Sequence, residues 1–229
     1  LFSRVTKALT LTTVIALLGC STGGTNFVAK VEPWREAEEN SCNAAGIVRP
    51  SPVIQSRTAL GGPSVCGAAR PFEMSGALGG RVAMKPAALL RCPMIPQVER
   101  WVSGSVAPMA RYFLGSPVAE LTVAASYSCR PINHVMGGKL SEHGYANALD
   151  ISAFILADGR KITVKGGWNG NDRERAFLKA FTKVRAASLR PFLALKPTAI
   201  TEIISIWTWR AMDETGFTGF ASKSRPFLK

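Results

Sequence analysis

The stretch SEHGYANALDIS, residues 141–152, contains His143, one of only two histidines in the chain, and Asp150 seven positions later. Apolar residues surround Asp150, and a strand is predicted to begin near Ala148. A carboxylate among apolar neighbours needs a partner, because an unpaired buried charge is very unfavourable. His143 precedes it in a glycine-containing loop that can fold back. Two readings stay open: the pair is two ligands of a metal, or it is a hydrogen-bonded pair that holds the loop.

Patterns on both sides of this stretch predict the other elements. Alternating apolar residues predict strands, and apolar residues at three- and four-residue steps predict helices. The predicted strands are 118–127, 148–156 and 161–164, the last two joined as a hairpin by the turn 157–159. Helical spacing covers 86–92, 97–114 and 172–184, with Asp172 as the candidate N-cap. This order favours the α+β class: a single domain with a small antiparallel sheet flanked by helices.

The N-terminus predicts export. It has a basic start, an apolar run over 8–18 and then Gly19 and Cys20, which is the layout of a secretory signal. The run is shorter than the roughly 20 residues needed to span a bilayer. The stretch 17–20 resembles a bacterial lipobox, so lipidation is expected at Cys20; an ordinary signal peptide or a short anchor helix is the alternative. Ser21 after the cysteine favours the outer membrane, facing the periplasm.

Charge and location together indicate the partners. The net charge of +13 in 229 residues could attract nucleic acid or anionic envelope polymers. Export excludes nucleic acid and favours peptidoglycan or another anionic wall polymer, with the membrane contacted through the lipid anchor. The expected organisation is a signal peptide over 1–19, a flexible tether over 20–62, the domain over 63–182 and a basic tail over 183–229.

Four cysteines remain after the lipobox, and in an oxidising compartment they can form up to two disulfides, in three pairings. They are Cys42, Cys66, Cys92 and Cys129. None has the tight Cys-x-x-Cys spacing of a zinc knuckle, so a structural role is expected for them.

Two family resemblances sharpen the metal hypothesis. Ser141-x-His143 followed by Ala148-x-Asp150 resembles the Ser-x-His-x-x-Gly-x-Ala-x-Asp signature of zinc D-alanyl-D-alanine carboxypeptidases and dipeptidases. The strings SEHGYANALDI, SYSCRP, CGAARPFEMS and LLRCPM, spread over 66–182, resemble more closely the bacterial extensin-like C-terminal domain family. The resemblance implies that His143 and Asp150 bind zinc, that Arg130 polarises a substrate carbonyl or steadies an oxyanion, and that Ser141 supports the site.

The chain departs from these families in two places. Ala146 stands where the peptidases have glycine, in a loop expected to need positive φ. Both families also end with a histidine-rich strand that supplies the third zinc ligand, whereas this chain has no histidine after His143. His134, in a loop bounded by proline and glycine, is expected to be a solvated side chain rather than a replacement ligand.

A frameshift would explain the missing histidines. The stretch ITEIISIWTW occupies 200–209, and codons for its first seven residues, read two bases later, can encode His-Arg-Asp-His-Phe-His as in the extensin-like family. The preceding residues shift to another family-like word in the same frame. The hypothesis places the shift between about Val184 and Leu189, so the C-terminal strand is expected to be missing. Cys129 is then left without its family partner, and Cys66–Cys92 is the preferred disulfide.

Two functions follow from these observations. The first is an envelope lipoprotein derived from a zinc-dependent peptidoglycan peptidase, inactive as written because the third ligand is absent. The second is a non-catalytic envelope module that keeps the fold and binds wall polymer through its basic surface.

Overall fold

A six-stranded mixed sheet forms the centre of the computed structural model, which describes residues 25–188 and their side chains as far as residue 180. Its strand order is β10-β9-β7-β6-β5-β2, and two-stranded pairs are formed by β1 with β8 and by β3 with β4. The strands are β1 Phe27–Val28, β2 Ile54–Ser56, β3 Leu60–Gly61, β4 Gly67–Ala68, β5 Phe72–Ala77, β6 Val82–Leu90, β7 Val118–Ala125, β8 Gly138–Lys139, β9 Asp150–Leu156 and β10 Lys161–Thr163.

The helices are α1 Pro33–Ala44, α2 Met94–Trp101, α3 Ala107–Met109, α4 Val164–Gly167 and α5 Asp172–Ser188. The π-type segments Val102–Val106 and Ala110–Leu114 follow α2 and α3, so that the backbone is helical from 94 to 114. Gly115 ends this long helix in the left-handed conformation, with φ 70°, which glycine adopts without steric penalty. The prediction of a helix over 97–114 is confirmed, with a start three residues earlier.

The mixed α+β class is confirmed, but the sheet is larger than predicted and is not purely antiparallel. β6 and β7 pair in parallel, because the long helix over 94–114 carries the chain back across the sheet between them. The prediction of helix over 86–92 was wrong over most of that range, which lies in β6. Buried residues recur at every second position near the two ends of β6, at Val82, Met84, Ala88 and Leu90, the period of a strand.

The segment expected to be a tether contributes to the domain. Helix α1 packs through Cys42, which belongs to the main core. The carboxylate of Glu39 on the same helix is buried and accepts hydrogen bonds from the backbone N–H groups of Ala69 and Arg70, at 3.3 and 2.9 Å. β2 adds the edge strand beside β5. The tether boundary at residue 62 was therefore wrong for the described residues, because long-range contacts stabilise a segment whose local sequence is polar.

The disulfides differ from the preferred pairing. Cys42 joins Cys92 and Cys66 joins Cys129, so the predicted Cys66–Cys92 bridge was wrong and Cys129 has a partner. Helix α1 brings Cys42 to the end of β6, where Cys92 is fully buried. A second, smaller core of Phe27, Cys66 and Leu140 lies beside the other disulfide.

Helix α5 begins at Asp172, but its N-cap is Asn171 rather than the predicted Asp172. The Asn171 side-chain oxygen accepts a hydrogen bond from the backbone N–H of Glu174 at 3.0 Å, the bond that defines an N-cap. The helix extends past residue 183, the expected start of the tail, as far as Ser188. Within 25–188, no helix has the length and apolar character needed to cross a membrane. Cys20, the signal segment and the stretch 200–209 lie outside the described residues.

Candidate metal centre

A short 3₁₀ helix, Glu142–Tyr145, carries His143 into the interior. Ser141 precedes this helix as its N-cap, and its hydroxyl accepts a hydrogen bond from the backbone N–H of His143 at 3.4 Å. Ala146 follows in the left-handed conformation, with φ 51° and ψ 32°. The chain therefore turns sharply at the position where the peptidase signature has glycine, and the positive φ expected there is present.

His143 and Asp150 meet in the interior. The imidazole Nε2 lies 3.1 Å from Asp150 Oδ2, and the two side chains are 4% and 8% exposed. Neither Nε2 nor Asp150 Oδ1 has a hydrogen-bond partner among the described residues. Buried polar atoms are almost always paired, so these two atoms are the ones that need an explanation at this site.

The other imidazole nitrogen is fixed by the backbone. His143 Nδ1 lies within hydrogen-bonding distance of the carbonyl oxygen of Ser126. A carbonyl can only accept, so Nδ1 carries the proton and donates it. In the neutral imidazole this leaves Nε2 with a lone pair, and Nε2 has no hydrogen-bond partner among the described residues. A backbone carbonyl that holds one nitrogen while the other binds metal is the usual outer support of a metal-ligating histidine.

The distance between the two side chains also suits a shared cation. Zinc binds nitrogen and carboxylate oxygen at about 2.0–2.2 Å, so two ligands on neighbouring corners of a tetrahedron are about 3.3 Å apart. The observed 3.1 Å is close to this value. The donor set, the free lone pair and the spacing therefore fit two of the three ligands of a catalytic zinc.

A third ligand is absent from the described part of the chain. Over 25–188, no group of three or more His, Cys, Asp and Glu side chains could hold a metal. His134 is exposed in its loop, as predicted. Within the described residues, the site therefore offers two candidate ligands.

Irregular strand pairing places Asp150 at the site. Near the site, Thr122 pairs with Ala153, Val123 with Ile151 and Ala125 with Asp150, so that Ala124 and Ser152 have no partner in this stretch. Such bulges redirect side chains and are frequent beside active sites. The simple alternation expected for this strand is interrupted there.

The segment 126–130 runs along the histidine loop and brings Arg130 next to it. The backbone N–H of Ser128 donates to the His143 carbonyl at 3.0 Å, and that of Ser141 donates to the Arg130 carbonyl at 3.0 Å. Arg130 is half-buried. The structure therefore places the main chain of Arg130 against Ser141, and the catalytic role of its guanidinium stays a prediction.

Sequence reasoning missed two supports of the loop. Ser126 holds His143 through its carbonyl, and its hydroxyl accepts a hydrogen bond from the Leu89 N–H at 3.1 Å. The sequence placed Ser126 inside the predicted strand 118–127, whereas the observed strand β7 ends at Ala125, so no signal marked Ser126 as a support. The second support is Arg35 of α1, whose guanidinium binds both carboxylate oxygens of Glu142 at 2.7 and 2.5 Å and lies over the Tyr145 ring at 4.0 Å. No local pattern predicts a contact across so many residues.

A match to a known protein family includes all predicted residues of this site. The family described as the extensin-like protein C-terminus matches residues 39–195. The chain belongs to this family. The match includes β6, β7, β9 and the predicted site residues Arg130, Ser141, His143 and Asp150. It also begins inside α1, which supports assigning that helix to the extensin-like domain. The chain matches no curated protein and no solved structure.

Proposed function

We propose that this extensin-like protein is an exported, lipid-anchored protein of the bacterial cell envelope, whose central site derives from a zinc-dependent peptidoglycan peptidase. His143 and Asp150 would hold the metal. As written, the chain has no histidine after His143, so the third ligand of the family's histidine-rich strand is missing and we expect the protein to be inactive. The observation that carries the proposal is the buried His143–Asp150 pair, in which Nε2 lies 3.1 Å from Oδ2 and neither Nε2 nor Oδ1 has a hydrogen-bond partner among the described residues.

The residues of this chain have distinct expected roles in the complete site. Ser126 fixes the imidazole through Nδ1, so that Nε2 is the nitrogen offered to the metal. Bound zinc polarises a carbonyl and lowers the pKa of a bound water toward about 7. Arg130, carried by the segment beside the loop, would contact the carbonyl oxygen of a peptide in the peptidoglycan stem or crosslink. Ser141 acts through the loop, as the N-cap of the segment that holds His143.

Whether the gene encodes the third zinc ligand depends on its reading frame after about codon 184. The family match ends at residue 195, before the stretch 200–209 where the shifted codons would restore three histidines. The match also extends past Leu189, the last position at which the frameshift is placed, so it does not test the frameshift. The direct test is the DNA sequence of the gene over codons 180–210: an insertion or deletion that restores His-x-x-His-x-His in frame supports the proposal, and confirmed codons make the chain a degraded or non-enzymatic relative.

Metal analysis tests the site itself. Four proteins are compared after dialysis: the chain as written, a chain with the restored frame, and the restored chain with His143→Ala or with His134→Ala. We expect less than stoichiometric zinc in the written chain and one zinc per restored chain. His143→Ala should abolish that zinc, and His134→Ala should leave it unchanged because His134 is exposed. A restored chain without zinc, or a written chain with stoichiometric zinc, contradicts the proposal.

The second candidate is a non-catalytic module that binds anionic wall polymer. The net charge of +13 favours it, as does the lack of a third ligand within 25–188. Sedimentation with purified peptidoglycan separates the two functions: salt-sensitive binding by the written chain, unchanged by His143→Ala, supports the module.

A further inference from the structure

The loop between the 3₁₀ turn Ile132–His134 and strand β8 exposes two apolar side chains to solvent. Val135 is 58% exposed and Met136 is 77% exposed. Backbone hydrogen bonds fix the loop: His134 N–H donates to the Pro131 carbonyl, and Gly138 N–H donates to that of Val135, at 3.2 and 2.9 Å. The two side chains therefore stay outward because the backbone beneath them is tied down.

Strand β1 adds a third exposed apolar side chain beside this loop. Val28 is 61% exposed. Asn26 accepts a hydrogen bond from Gly137 N–H at 2.8 Å, and Val28 accepts one from Leu140 N–H at 2.9 Å. We call the three side chains Val28, Val135 and Met136 the β1–β8 patch. Exposed apolar groups that lie together on a protein surface often mark a contact with a partner or a membrane.

Two lysines accompany the patch. Lys30 and Lys139 are exposed, and Lys139 is the register partner of Val28. The nearby acid Glu32 is engaged with Arg35 at 2.5 Å. Apolar side chains flanked by lysines suit an interface with anionic lipid, where the apolar groups enter the headgroup region and the ammonium groups meet phosphate.

The short connection to Cys20 favours the membrane as the surface that the β1–β8 patch contacts. Thr25 is five residues after Cys20, and five extended residues span at most about 18 Å. Since β1 begins at Phe27, a lipid on Cys20 would hold this strand close to the bilayer. The tether expected over 20–62 would have allowed the domain to move far from the membrane, but the folded domain begins much earlier.

We propose that the β1–β8 patch lies on the headgroups of the membrane in which Cys20 is anchored. This rests on the proposed lipid anchor. The patch fixes which side of the domain faces the bilayer. Because its loop lies between Arg130 and Ser141, the docking also sets the orientation of the His143 site relative to the membrane.

The test uses the full chain, purified as the mature lipoprotein and reconstituted in vesicles of phosphatidylethanolamine and phosphatidylglycerol. Met136→Cys carries an environment-sensitive fluorophore, and Asp158→Cys, in the exposed β9–β10 turn, is the matched control. We expect a blue-shifted emission and quenching by headgroup-depth quenchers at 136 and water-like emission at 158. In the Met136→Cys background, Val135→Glu with Lys139→Glu should return the emission of the label to the water-like value.

Incorporation of labelled palmitate, lost in Cys20→Ser, is measured in parallel. Palmitate incorporation with a water-like label at 136 overturns the docking and leaves the anchor intact. Absence of palmitate overturns both, since the docking depends on the anchor. A label at 136 that is equally shielded in detergent without lipid also overturns the docking, because it indicates a protein contact.

Discussion

The disulfide pairing gives the sharpest prediction. Cys42–Cys92 and Cys66–Cys129 close loops with sequence separations of 50 and 63 residues. The chain-entropy relation gives about 4 kcal/mol of stabilisation for each bridge at 25 °C. A domain of this kind has a total stability of about 5–15 kcal/mol, so one bridge is a large share and two together can exceed the total.

A set of alanine variants tests the pairing, and tryptophan fluorescence monitors the unfolding of each variant in urea. Cys42→Ala, Cys92→Ala and the double variant of these two should each lower the free energy of unfolding by about 4 kcal/mol, because all three remove the same bridge. Combining Cys66→Ala with Cys92→Ala breaks both bridges, so this cross-pair variant is expected to lose about 8 kcal/mol and to be largely unfolded.

The cross-pair variant decides between the pairings. If Cys66 were bonded to Cys92, that variant would be no less stable than Cys92→Ala alone and would remain folded. This result would refute the pairing and the position of α1 in the domain. Peptide mapping without reductant is the independent check, and reduced wild-type protein is the control for the loss of both bridges.

Three further predictions concern the loop and one turn. Glu142→Gln should lower the free energy of unfolding by about 1.5–3 kcal/mol, because the side chains of Arg35 and Glu142 are only 12% and 14% exposed. Glu73→Gln is the control at the more exposed pair of Glu73 with Arg57, and it should change the free energy of unfolding by less than about 1 kcal/mol. Equal losses in the two variants would contradict the reasoning. Gly144→Ala should lower the free energy of unfolding by about 1–3 kcal/mol, since the added Cβ would lie 2.6 Å from Leu140 Cδ1. Gly104→Ala is the control and should not destabilise the protein, because its added Cβ would have nothing within 4 Å. Thermal unfolding of both variants checks this. Hydrogen bonds from the side chain and the backbone of Arg160 lower the pKa of Asp158. The contribution of Asp158 to stability is therefore present above the ordinary value of about 4 and is lost as the pH falls through the lowered pKa. NMR titration should find this pKa below the ordinary value, and Arg160→Gln, which removes the side-chain hydrogen bonds alone, should raise it toward that value.

Local patterns predicted the elements whose stability is local or repetitive. The long helix over 94–114 and the hairpin of β9 with β10 have clear periods, and the structure confirms them. The proximity of His143 and Asp150 also followed from residue types and spacing, because a buried carboxylate needs a partner. The interpretation of that pair as zinc ligands stays a prediction.

The remaining features depend on contacts between distant segments. Helix α1 has a polar sequence and is fixed by the Cys42–Cys92 bridge and by Glu142, 107 residues from Arg35. Residues 86–90 are uniformly apolar and lie in β6, which is interior to the sheet, so their period could not distinguish strand from helix. Ser126 supports the site through its carbonyl, which every residue type possesses, so its identity carried little signal.

The two disulfides interleave along the chain, since Cys66 lies between Cys42 and Cys92, and Cys129 follows both. If cysteines are oxidised in the order of synthesis, Cys42 meets Cys66 first and forms a bond that the native protein does not contain. Thiol–disulfide exchange must then reopen it through a mixed disulfide. Production of the native protein should therefore depend on a disulfide isomerase, and an oxidase acting alone should accumulate species with consecutive cysteines joined.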